Sequence, residues 1–180
     1  MTFTSLGSAI ASAKGDEKPQ EPAENTGPGP GAAGGQSPWK GMPPVGLQQL
    51  WFALQRLEWN SLVVLPASPD LSAEDFGRPL YEVARLALGP RIRLLDGRSI
   101  SLPQTAPLIL DMATSGDRAR TLVLLDSVIS HPPGVPIALA ADGVLLCVEK
   151  GKTRLAAVAE TLQLVGQEKF LGCILHPSAR

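Results

Sequence analysis

A chain of 180 residues with 44% hydrophobic content can bury the core of one domain and still leave residues for a tail. Its 16 basic and 17 acidic residues nearly cancel, and no basic stripe interleaved with aromatics occurs, so composition argues against a nucleic-acid surface. No run of about 18 apolar residues escapes Pro, Gly or charge, which argues against a bilayer span; the two cysteines, Cys147 and Cys173, lie in apolar segments, which argues against a disulfide framework and suits a reducing cytoplasm.

The first residues, MTFTSLGSAIASAKGDEK, lack the basic start and continuous apolar stretch of a secretory signal, so a cytoplasmic location is expected. Pro, Gly, Ala and charge crowd residues 14 to 46. Such a composition cannot bury enough apolar surface to offset chain entropy, and residues 1–43 are expected to form a disordered arm, with one α/β domain over 44–180. In VGLQQLWFALQRLEW, Leu47, Leu50, Trp51, Leu54 and Leu57 recur at the spacing of one helical face. Trp39, Trp51 and Trp59 gather near this start, and an exposed member of the set would suit an interface anchor; Trp51, on the apolar stripe, equally suits the core.

SLVVLPAS then reads as a strand buried on both faces and closed by Pro66. Ser72 to Asp75, SAED, has the form of a capping box, and the helix it opens is expected to end at Gly89-Pro90, unless Pro79 marks its first turn and shortens it to roughly 78 to 88. RIRLLDG is a second strand ending in Asp96, APLILDMA a third, and RTLVLLDS a fourth ending in Asp126. DGVLLCVEKG is a fifth. Leu155, Val158, Ala159, Leu162 and Val165 then draw a helical stripe stopped by Gly166, and FLGCILH closes as a sixth strand. Apolar strands alternating with amphipathic helices predict a mostly parallel sheet flanked by helices on both faces.

In such sheets ligands collect at the carboxyl ends of strands, where Asp96 and Asp126 both stand. Such aspartates orient a magnesium ion or a water molecule, or else cap the turn that follows. Gly151-Lys152-Thr153 has the letters that end a phosphate loop, but the glycine needed five positions before Gly151 is Leu146, and a strand runs straight into the tripeptide. His131, His176 and the two cysteines show no paired metal spacing. Ser127 and Ser130-His131 lack a nucleophile elbow, and SHPPGVP reads as a rigid loop.

RIRLLDGR, TLVLLDS and above all AADGVLLCVEKGKTRLAAV with LGCILH resemble the cytoplasmic ATPase module of the bacterial tyrosine kinases of capsule and exopolysaccharide assembly. That family is part of the deviant Walker-motif ATPases. The resemblance covers roughly residues 47 to 176 and implies a P-loop NTPase-like architecture. It places Asp96 on the second-strand aspartate and Asp126 on the Walker B aspartate, and assigns Gly151 to Arg154 to a turn after a strand.

Several parts of the family pattern are missing. Where its phosphate loop should follow the first strand this chain has LPASPDLSAEDFG, no lysine lies between Lys40 and Lys150, and the loop has no basic residue before Arg78. A triphosphate would meet carboxylates there, so neither ATP nor magnesium is expected as a cofactor. The C-terminal tyrosine cluster is absent: the sole tyrosine is Tyr81, placed for packing among Leu80, Val83 and Ala84. The resemblance therefore implies a catalytically inactive, kinase-like scaffold or regulatory protein of exopolysaccharide production. Its expected partner is an inner-membrane polysaccharide copolymerase or chain-length protein, through which it would sit peripherally at the membrane. Two alternatives stay open: a weakly active ATPase or tyrosine kinase using Asp96 and Asp126, and an unrelated small α/β binding protein.

Overall fold

The computed structural model describes residues 45–114 and 119–176; the expected arm and Trp39 lie outside them. The elements run α1 (Val45–Leu54), β1 (Ser61–Pro66), α2 (Ala73–Leu88), β2 (Ile92–Asp96), α3 (Leu102–Thr114), β3 (Arg120–Leu124), α4 (Gly134–Ala140), β4 (Gly143–Glu149), α5 (Leu155–Val165) and β5 (Phe170–His176). The five strands are all parallel, in the order β2-β3-β1-β4-β5. A parallel sheet must carry a crossover between each pair of strands, and these crossovers lay helices on both faces.

Alternate residues of the central strands divide the core in two. Leu62 and Val64 of β1, with Leu122 and Leu124 of β3, pack against Trp51, Leu54, Phe76 and Leu80 of α1 and α2. Val63, Leu65, Val123 and Leu125 face Met112, Ile137, Ala138 and Val165 of α3, α4 and α5. α2 crosses from β1 outward to β2 on one face, while the later helices return along the other, as right-handed crossovers require. Chain direction thus reverses at β1 and β3, and their carboxyl ends bound a crevice of the kind where α/β sheets hold ligands.

Ser72 caps α2 by accepting a hydrogen bond from the Glu74 N–H at 3.2 Å, and the helix runs unbroken through Pro79 to Gly89, whose φ of 60° stops it. The shorter helix from residue 78 does not occur. α1 also ends sooner than the apolar spacing suggests, at Leu54. Trp59 lies beyond it, donating its indole N–H to the Leu54 carbonyl at 2.9 Å, with its ring edge-on to Trp51 and beneath the Arg120 guanidinium. Trp51 and Trp59 are 1% and 4% exposed. Both are core residues, which overturns their candidacy as surface anchors: a large aromatic side chain gains most by leaving water.

The expected third strand, APLILDMA, is instead the body of α3. Its apolar run is too short for periodicity to separate helix from strand, and β2 and β3 are parallel neighbours, so the chain between them must cross over. A cue was present in SLPQ: the Gln104 side chain accepts hydrogen bonds from the Ser101 N–H and hydroxyl at 2.9 and 2.6 Å, one half of a capping box, with Pro103 in the first turn. SHPPGVP is likewise only partly loop, because its Gly134-Val135-Pro136 opens α4.

Candidate functional site

At the carboxyl edge of the sheet, Ala67, the residue after β1, is tied to β4 by its N–H bond to the Cys147 carbonyl, 2.9 Å, and the chain turns through Ser68–Leu71 into α2. The first turn of α2 carries Glu74 and Asp75. A helix N-terminus holds unpaired N–H groups and a positive partial charge that attract anions. Here the chain's own carboxylates answer that charge.

β2 ends at Asp96, and the loop that follows folds back over the neighbouring strand. Gly97 makes this possible: a Cβ there would press on Leu125 and Leu108 side-chain carbons at 2.8 and 2.9 Å, while its N–H bonds the Leu124 carbonyl at 2.9 Å. Arg98 then grips Asp96 with two hydrogen bonds, Nε to Oδ1 at 2.9 Å and Nη2 to Oδ2 at 2.7 Å. Its Nη1 donates to Glu74 Oε2 at 2.5 Å, and the other Glu74 oxygen accepts from Arg78 Nε at 2.9 Å. Asp96, Arg98, Glu74 and Arg78 form one alternating chain of charge between the end of β2 and the start of α2. Arg98 and then Arg78 hold the Glu74 carboxyl below its usual range, Arg98 does the same to Asp96, and the Arg98 guanidinium is raised in turn by Asp96 and, less, by Glu74.

Asp126 stands two residues past the end of β3. Its Oδ2 accepts the Ser99 N–H at 2.7 Å, and Ser99 sits at φ 53°, a left-handed conformation seldom adopted by residues with a Cβ. Further along, His131 Nε2 donates to the Ile100 carbonyl at 2.6 Å, which fixes the proton on that nitrogen. The two aspartates singled out in the sequence are therefore brought under one loop, Asp96 by the Arg98 side chain and Asp126 by the Ser99 backbone. Glu74 and Arg98 were not foreseen as their partners. Their link spans 24 residues, so spacing carries no trace of it; the acidic character read from the β1–α2 loop is also partly offset by Arg98 and Arg78.

Gly151-Lys152-Thr153 forms a closed turn. The Thr153 hydroxyl accepts the Glu149 N–H at 2.9 Å, the Lys152 and Thr153 N–H groups bond the Glu149 carbonyl, and Lys152 Nζ meets the buried Glu149 carboxylate at 2.6 Å. Gly151 takes φ 81°. This turn borders a cleft of about 440 Å³ between the β1 loop and α5, whose charged walls are Asp70, Lys152, Arg154 and Glu160. A second cleft of about 420 Å³ lies beside Asp96, Arg98 and Asp111.

No protein-family model and no curated protein sequence matches the chain. Solved structures do. The kinase domain of the Escherichia coli tyrosine kinase ETK superposes with a TM-score of 0.60 at 14% identity, over 73% of this chain and 72% of that one. The BceF tyrosine kinase domain gives 0.51 at 14% identity, over 76% and 77%. The chain has a bacterial tyrosine kinase fold. The first turn of α2 presents Glu74 and Asp75, and Arg98 is held by Glu74 and Asp96. No group of three acidic, His or Cys side chains suited to a metal ion occurs among the described residues. No described helix is long and apolar enough to cross a membrane.

Proposed function

We propose that this chain is a catalytically silent relative of the exopolysaccharide tyrosine kinases, acting as a scaffold or regulator that binds the cytoplasmic part of an inner-membrane polysaccharide copolymerase. The observation that carries the reading is the Asp96–Arg98–Glu74–Arg78 chain, which closes the first turn of α2 with the protein's own charges. To bind there, a triphosphate would have to displace Glu74 and strip Arg98 from two carboxylates, with no lysine in the β1–α2 loop to compensate. Asp126 supports the same reading: its Oδ2 already accepts the Ser99 N–H and so helps to hold the loop after β2. With the catalytic parts engaged in holding loops together, the selectable property of the fold is what it touches.

Titration with Mg-ATP tests the catalytic half of the proposal. No binding is expected up to about 1 mM, an affinity near the weak end of specific recognition. Micromolar affinity that disappears in Asp126→Ala would instead establish a functioning nucleotide site. Copurification from the native cell tests the other half: a polysaccharide-export membrane protein is expected among the captured partners, and its absence alongside recovery of only ribosomal or metabolic enzymes would remove the scaffold role.

A further inference from the structure

No further inference is drawn: the strongest candidate, the cleft of about 440 Å³ between the loop after β1 and the first turns of α5, is walled by exposed side chains of both signs, Asp70 and Glu160 against Lys152 and Arg154, and no buried polar side chain among the described residues lines it, so nothing in the structure shows what it would hold.

Discussion

Arg98 is the residue on which the carboxyl edge is organised, since its guanidinium pairs with both Asp96 at the end of β2 and Glu74 at the start of α2. Its pairs are partly solvated, with side-chain exposures of 26% for Arg98 and 54% for Asp96, so solvent screens much of their attraction. Arg98→Ala is accordingly expected to cost about 1 kcal/mol in urea unfolding, at the upper end for exposed pairs because the Asp96 contact is two-pronged. At the opposite edge Asp142 does comparable work. Burial pushes its carboxyl up, but the Asn60 N–H, the Ser61 N–H and the Ser61 hydroxyl, all bonded to one oxygen at 2.8 to 3.0 Å, together with the Lys169 charge, carry it below the usual range. These bonds lock the entry of β1 to the entry of β4. Asp142→Ala should remove about 1–2 kcal/mol of stability, because charged acceptors make the stronger hydrogen bonds and the Ser61 donors are left half-buried.

Among the elements, α2 meets the sheet closely at Gly77. A Cβ at this position would run into the Leu124 side chain of β3, with Val64 of β1 next nearest. Gly77→Ala gains helix propensity at a buried position but overfills the contact, and a net loss of about 1–3 kcal/mol is expected in thermal or chemical unfolding. An unchanged or raised melting temperature would show that Leu124 has room to turn aside. α2 was legible at both ends, residues 72 and 89, through local chemistry, a capping serine and a glycine at positive φ, though Pro79 left a start near residue 78 open as well. α3 was not, although the Ser101–Gln104 cap is equally local; the apolar letters between Ala106 and Ala113 suit a buried strand as well as a helix, and only the parallel pairing of β2 with β3 decides between them.

For the molecule as a whole, acid should be the condition that separates its two sheet edges. Glu74, Asp96 and Asp142 all have folded-state pKa values below the ordinary 4.5 for Glu and 3.8 for Asp. A group lowered on folding binds fewer protons in the native state than in the unfolded one, so its contribution is complete above the ordinary value and is lost as pH falls through the folded one. Stability measured by urea unfolding is thus expected to hold level from pH 7 to about pH 5 and to fall below the ordinary carboxylate range. Arg98→Ala and Asp142→Ala should each flatten that fall, and a slope unchanged in both would mean that other carboxylates govern acid unfolding.

What the sequence by itself determined was the class of fold: short apolar strands, helices with capping residues at their ends, and aspartates where two strands stop are all local patterns, and local patterns are set by backbone geometry and side-chain chemistry within a few residues. Tertiary structure decided what those aspartates are for. The Asp96 carboxylate meets a guanidinium that also holds Glu74, 24 residues from Arg98, and Asp126 receives a backbone N–H 27 residues away. Such contacts exist only once parallel pairing has set β1, β2 and β3 side by side. The burial of Trp51 and Trp59 has the same origin: a side chain's surroundings are fixed by which elements pack together, a property of the assembled layers that no stretch of chain contains alone.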